Sequence, residues 1–438
     1  MFGRPLLRTS YEQDAAIFPT AFQKGAMGLF LVFIGIMGLS FGSEGWTSWF
    51  HWFPEWLLGP TWINPVTNLL PLAVAALGFN ILVGVTGQVS LGHAFFMGSG
   101  AYTAVALGGN GDSWKACVPF HDELGLLEPA GQCGLGLPIW IWLPSAGVMA
   151  ALIGILVSPA AVKVRGLYLA IVTLGLVFIG LHLGRMLPEY AGDFESGRRW
   201  PPLDLQVWKE DPPLVSMTSD GEWFGFLFLK EEQKQFFFLL SLVIFAAVIA
   251  KNIIRSRTGR ALQAIRDRDI AAEVMGVPEF KYKRIGFAIS SFYAGVGGAL
   301  WASYLGRASP VDWSLFLSVD FIAILLIGGA GTIIGTLIGT VFVELLPDVV
   351  ETFTEWLGEQ TDAAPPLGWI ANALIKNGED FGPISLVTGS PGWPMSVFFW
   401  NFVIYGVLIV VFLIFEPHGL YGLWVRFRNY WKRWPFSY

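Results

Sequence analysis

Residues 62–105 read WINPVTNLLPLAVAALGFNILVGVTGQVSLGHAFFMGSGAYTAV, and the whole run from 56 to 111 contains no Asp, Glu, Lys or Arg. A soluble domain carries about 25% charged residues, so a stretch this long and this bare is built for another solvent. At about 1.5 Å per residue it holds enough helix for two bilayer crossings with a turn between them. The rest of the chain agrees: 54% of its 438 residues are hydrophobic and only 14% charged, with a mean hydropathy of +0.56. A β-barrel would show short alternating segments instead of long apolar runs. The expected fold class is an all-α polytopic membrane protein.

Working outward, apolar runs predict spans at roughly 25–43, 66–86, 88–108, 138–158, 166–187, 235–252, 285–305, 318–346 and 397–415. The first is longer than the ~7–15 apolar residues of a signal-peptide core, and Glu12 and Asp14 interrupt the basic residues before it, so it reads as an uncleaved span. Orientation follows from Lys/Arg bias. Segment 251–284 carries nine Lys/Arg against four Asp/Glu, a net +5 in a chain of net −6. With Lys163 and Arg165, and with Arg426, Arg428, Lys432 and Arg433 in the tail, it is expected in the cytoplasm. The loops 109–137, 188–234 and 344–396, at −3, −5 and −7, are free to face out. This divides the chain into a cytoplasmic N-terminal segment (1–24), a transmembrane domain (25–424) and a basic aromatic tail (425–438).

A single crossing at 318–346 would put the tail on the wrong side. Its centre, GGAGTIIGTLIG, holds Gly328, Gly329, Gly331, Gly335 and Gly339. These permit a broken or re-entrant pair of short helices, provided protein covers the break, and their Gly-x-x-x-Gly spacing permits close packing. The pair brings the expectation to about ten membrane elements; the alternative is one glycine-rich span. Cys117 and Cys133 share one outward loop, either as two thiols or as a disulfide, which an oxidising compartment would permit.

Polar groups inside a membrane bundle are costly and tend to face its interior. Gln88, Ser90 and His93, set among Gly84, Gly87, Gly92, Gly98 and Gly100, form such a block. Gly87, Gln88, Ser90, Gly92 and His93 are candidates for lining or supporting a solute pathway at a broken helix; the alternative is that they only hydrogen-bond adjacent helices. In the basic loop, KNIIRSRTGRALQAIRDRDIAAEVMGVPEFKYKR at 251–284 shows a weak helical stripe at Leu262, Ile265, Ala272 and Met275. Gly276 and Pro278 then supply a helix stop. A short helix offered from a membrane bundle is a docking surface for a soluble partner. The chain has no Gly-Lys pair, hence no phosphate-cradling P-loop. Its five histidines lack metal-ligand spacing. No enzyme, cofactor, metal site or nucleic-acid partner is expected. His182, Arg185 and Asp320 lie near span ends, which gives little support to an ion-coupled carrier.

GQVSLGHAFFMGSGAYTA from Gly87, GRALQAIRDRDIAAEVMGVPEFKYKRIGFAISSFYAGVGGAL at 259–300, SYLGRASPVDW at 303–313, LLIGGAGTIIGTLIG at 325–339 and FEPHGLYGLW at 415–424 occur in that order. Together they resemble the permease subunits of branched-chain amino-acid ABC importers. The resemblance implies a permease in a bacterial inner membrane, with both termini cytoplasmic, working with two ATPase subunits, a second related permease and a periplasmic binding protein. It also implies that a short cytoplasmic helix sits in a cleft of the ATPase, which here falls on Gly259, Arg260, Ala264, Ile265, Arg266, Asp267, Ala271, Ala272, Glu273 and Gly276. The long 188–234 and 344–396 segments and the NYWKRWPFSY extension depart from the family pattern. They leave the cargo open between branched-chain amino acids and urea, short amides or another small polar solute.

Overall fold

The computed structural model describes residues 62–109, 134–163, 166–195, 197–199, 220–223, 227–359 and 419–433, with scattered residues besides. Span 25–43, the cysteine loop and most of 397–418 lie outside the described residues. Helix dominates. In chain order the helices are α1 Ile63–Phe79, α2 His93–Gly108, α3 Ile139–Lys163, α4 Leu167–Met186, α5 Glu231–Arg255, α6 Arg257–Asp267, α7 Asp269–Val274, α8 Glu279–Leu305, α9 Leu315–Gly328, α10 Ile333–Glu359 and α11 Gly419–Arg433. Among the described residues, six helical stretches are long and apolar enough to cross a membrane: α1 with its extension to Val85, α3, α4, α5, α8 and α10. The all-α polytopic fold is thus as expected; α9, with 14 residues, reaches only about 21 Å.

Burial is graded around α1, which is buried without interruption from Leu69 to Phe79. Its neighbours α5, α8 and α10 pack on it, and α8 also lies against α2 and α3. Glycine makes those contacts close. A Cβ on Gly100 of α2 would strike the backbone of Gly295, one on Gly298 the Met97 carbonyl, and one on Gly297 Ala75. In a lipid solvent, helices hold together by packing and not by burying apolar area. Outward, α3 exposes Leu152 and Leu156, α4 Ile171 and Phe178, and α5 Phe245 and Val248, as lipid-facing surfaces do.

The glycine-rich run does not form one span. α9 ends at Gly328, residues 329–332 turn with Gly329 and Gly331 at positive φ, and α10 runs back alongside α9. Gly335 and Gly339 press on Gly328 at the crossing, where a Cβ on any of the three would meet backbone.

Strands are confined to the connections. β1 (Arg198–Arg199) pairs antiparallel with β4 (Arg307–Ala308), and β2 (Gly221–Trp223) with β3 (Leu227–Leu229). β5 (Ile375–Lys376), β6 (Ile384–Ser385) and β7 (Met395–Ser396) pair in parallel. The β1–β4 pair clamps the start of the 188–234 segment onto the link between α8 and α9, and Ser309 Oγ adds hydrogen bonds to the carbonyls of Phe194 (3.0 Å) and Glu195 (2.9 Å).

Candidate functional site

The end of the bundle opposite β1–β4 gathers the turn between α1 and α2, the start of α4, the helices α6 and α7, the α9–α10 turn and the start of α11. Its chemistry begins in α1, which loosens into a π-helix at Asn80–Val85 and then loses helical form until His93. Gln88 N–H turns back to Leu82 O at 3.1 Å, and Gly87 takes φ 74°. A membrane bundle tolerates such a break only where the freed backbone groups find partners. Here hydroxyls from three elements supply them. Leu91 N–H donates to Thr173 Oγ1 of α4 (2.9 Å), Gly92 N–H to Ser90 Oγ (3.2 Å), and Ala94 N–H to Ser318 Oγ of α9 (3.1 Å). Together they cap the N-terminus of α2.

The polar block is therefore divided in its duties. His93 is buried between the rings of Phe79 and Phe321, each centroid 4.9 Å away. Its Nε2 lies 2.9 Å from Ala75 O; a carbonyl only accepts, so that nitrogen carries the proton. Ser90 serves the local turn, and Gly92 lets the Thr173 carbonyl approach. Gln88 is buried with neither amide atom hydrogen-bonded. Gly87 and Gln88 border a cleft of about 260 Å³, which Leu169, Ile265, Arg266 and Lys283 also line.

A second break meets the first. Asn80 Oδ1 accepts from Gly331 N–H at 2.8 Å, and Gly84 lies so close to Gly331 that a Cβ there would strike its nitrogen. Neither Asn80, Thr173 nor Ser318 was legible as a site residue, because each is an isolated small polar group in an apolar run and its partner lies far along the chain. The spans also hold acids. Asp320 lies in α9, and Glu344, which the charge count assigns to a loop, lies inside α10.

The basic loop holds two helices where the stripe suggested one. Ser256 Oγ caps α6 by accepting from Gly259 N–H (3.3 Å), and Gly259 is required because a side chain there would strike the Ile254 carbonyl. The amphipathic face of α6 buries Ala261, Leu262 and Ile265 on the bundle. Arg268, extended at φ −157°, separates α6 from α7. α7 ends as Gly276 N–H bonds Glu273 O and Val277 N–H bonds Ala272 O, both at 2.9 Å, a Schellman stop with Gly276 at φ 86°. Of the ten loop candidates, Gly259, Ile265 and Ala272 are buried. Arg260, Ala264, Arg266, Asp267, Ala271, Glu273 and Gly276 are exposed. The exposed tip also carries Ile270, Val274 and Met275, at 69%, 82% and 83% exposure. Met275 thus leaves the stripe on which it was counted. Among the described residues no three His, Cys, Asp or Glu side chains gather as metal ligands.

A glycine-packed helical bundle with six stretches able to cross a membrane, interrupted at one end and carrying two short helices there, defines a polytopic membrane protein. The model of the family described as branched-chain amino acid transport system, permease component, matches residues 63–412, and the chain belongs to that family. The high-affinity branched-chain amino acid transport system permease protein LivM of Escherichia coli is 27% identical over 303 residues, 67% of this chain and 64% of the relative. Its namesake in Salmonella typhimurium is 27% identical over 307 residues with the same shares. The similarity thus spans 64% of the length of these curated relatives. No solved structure matches.

Proposed function

We propose that this chain is the transmembrane permease subunit of an ABC importer that moves branched-chain amino acids across a bacterial inner membrane. Energy comes from ATP hydrolysed on two separate ATPase subunits; a second related permease completes the pathway, and a periplasmic binding protein delivers the solute. The N- and C-termini and the α6–α7 end face the cytoplasm. Gly87, Gln88, Ser90, Gly92 and His93 support the pathway by shaping the interrupted start of α2. Gly328, Gly329, Gly331, Gly335 and Gly339 bring the α9–α10 turn against it. Gly259 to Gly276 form the docking element, with Ala264 and Ala271 allowing close approach and Arg260, Asp267 and Glu273 at its polar rim.

The observation that carries this reading is the tip of α7. Three large apolar side chains, Ile270, Val274 and Met275, stand exposed on a helix that projects from a basic segment. Large apolar groups left exposed on a short helix closed by a Schellman stop fit a cleft in a soluble partner, with charged residues around the rim. Differential affinity of that partner for two arrangements of the bundle would then drive alternating access.

The test is reconstitution with the candidate ATPases, second permease and binding protein, comparing the wild type with Val274→Glu/Met275→Glu. Wild-type chain should co-purify with ATPase and take up labelled leucine only with ATP. The double variant, still membrane-inserted, should lose the ATPase and at least about 90% of uptake, as burying two unpaired carboxylates demands. Uptake driven by an ion gradient without ATPase would overturn the importer and favour a carrier using Asp320 and Glu344. ATPase activity stimulated by urea or an amide, with no leucine uptake, would overturn the cargo alone.

A further inference from the structure

Arg266 is exposed on α6, yet its head is not free. Nη1 donates to Gly84 O at 2.7 Å, a contact across 182 residues of chain. Nε and Nη2 both reach Asp267 Oδ1 at 3.2 Å, which fixes the plane of the guanidinium. The approach is cut to fit. Gly87 lies against the stem, where a Cβ would come within 2.8 Å of Arg266 Cγ, and a Cβ on Gly331 would lie 3.3 Å from Nη1. Arg266 therefore ends where three irregular pieces of backbone meet: the π-helix, the Gly87 turn and the α9–α10 turn.

The carbonyl it holds has a reason to need it. In a continuing α-helix the Gln88 N–H would bond Gly84 O, but that donor goes to Leu82 O. Gly84 O is left at the negative end of the α1 dipole, where a cation is favoured. The hydrogen bond is thus a charge-assisted cap on a broken helix, and the donor comes from α6, the amphipathic helix laid on this end of the bundle. Gln88, four residues on, is buried with both amide atoms unbonded. The cleft of about 260 Å³ beside it gives the turn room to move.

We propose that Arg266 is a positioning residue, a latch that ties α6 to the α1–α2 break, and that this break is a gate which opens when α6 is drawn away. The proposal rests on the reading that a partner pulls on α6, and it moves Arg266 from the docking rim to the interior linkage. The gate is closed while Gly84 O is capped. Withdrawal of α6 removes the cap and frees the Gly87 turn, so that position 88 opens to the cleft it borders.

Two measurements test it on the full chain with Cys117→Ser, Cys133→Ser and Gln88→Cys. On the permease alone, a membrane-impermeant maleimide should label position 88 about tenfold faster in Arg266→Gln than in the Arg266 parent, the factor expected when one hydrogen bond to a charged group is lost. Arg266→Lys, which keeps a cationic donor, should restore much of the protection and so separates the latch from a general loss of structure. In the assembled complex, with position 88 native, Arg266→Gln should retain wild-type ATPase stoichiometry while leucine transported per ATP falls about tenfold. Loss of the ATPase in Arg266→Gln, as in Val274→Glu/Met275→Glu, would overturn the latch and make Arg266 a docking contact. Labelling that Arg266→Gln leaves unchanged would overturn the gate. If wild-type chain binds no ATPase, the importer fails, yet the labelling arm still decides the latch.

Discussion

The two ends of this bundle both depend on glycines at positive φ, but they close in different ways. At the β1–β4 end, Gly192, Gly197 and Gly306 turn the chain so that backbone meets backbone in a two-residue strand pair, which one short serine side chain backs with bonds to two carbonyls. At the α6–α7 end, Gly87, Gly329 and Gly331 open breaks whose loose groups are held by side chains, Asn80 and Arg266, from other elements. Ladder hydrogen bonds form and break together. A long side chain lets go alone, at the cost of one bond. The first end is built as a fixed lid and the second as a joint.

Breaking the lid should have the largest effect. Gly197 sits at φ 71°, and a Cβ there would lie 2.5 Å from Ala308 O. Gly197→Val adds strain of about 1–2 kcal/mol for the left-handed backbone and about 1–3 kcal/mol for the overlap. The unfolding midpoint in detergent should drop by roughly 2–5 °C, with ATPase binding at the other end intact. A midpoint within a degree of wild type would show that the strand pair does not fasten this end. Loosening the joint should cost less. Asn80→Leu leaves Gly331 N–H without its acceptor, a penalty of about 1–2 kcal/mol in a membrane interior. Amide exchange at 329–332 should quicken while that at 307–309 does not; equal acceleration at both ends would erase the distinction drawn between them.

The sequence made the lid and the joint unequally legible. Uncharged runs announced the helices, since a membrane span has to be long and apolar, and the crowded glycines at 328–339 announced a break. Gly276 before Pro278 marked the end of α7 because that stop signal is local. The joint could not be read the same way. Asn80 to Gly331 and Arg266 to Gly84 are contacts between segments far apart in the chain, and no local pattern records the partner. Arg266 read as a rim charge for the same reason: Asp267 and Arg268, which follow it, are charged and exposed, while its distant hydrogen-bond partner is a carbonyl in the π-helix after α1. The 251–284 stripe suggested one helix because apolar spacing survives a single extended residue, and Arg268 carries no breaker signature.

The smallest effect concerns Asp312, in the turn Pro310–Trp313 that the lid covers. Burial pushes its carboxyl above the usual carboxylate range, against the pull of Arg307 and of a backbone hydrogen bond with Ser309. Arg307 Nη2 stands 3.9 Å from Oδ1, too far for a strong bond, and Oδ2 has no hydrogen-bond partner. An acid whose folded pKa is raised binds its proton more tightly in the native chain than in the unfolded one, so stability declines as pH rises from the unfolded value of 3.8 through the folded one. Asp312→Asn, nearly the same shape and never charged, removes that decline. Its unfolding midpoint should match wild type near pH 4 and equal or slightly exceed it at pH 7, with leucine uptake unchanged. A wild type that gains stability over the variant as pH rises would reverse the sign and show Asp312 to be well paired. Reduced uptake in a stable Asp312→Asn protein would carry a heavier consequence. A fixed lid can be improved at no functional cost, whereas an element that works by letting go cannot, so that loss would place moving parts at both ends of the bundle.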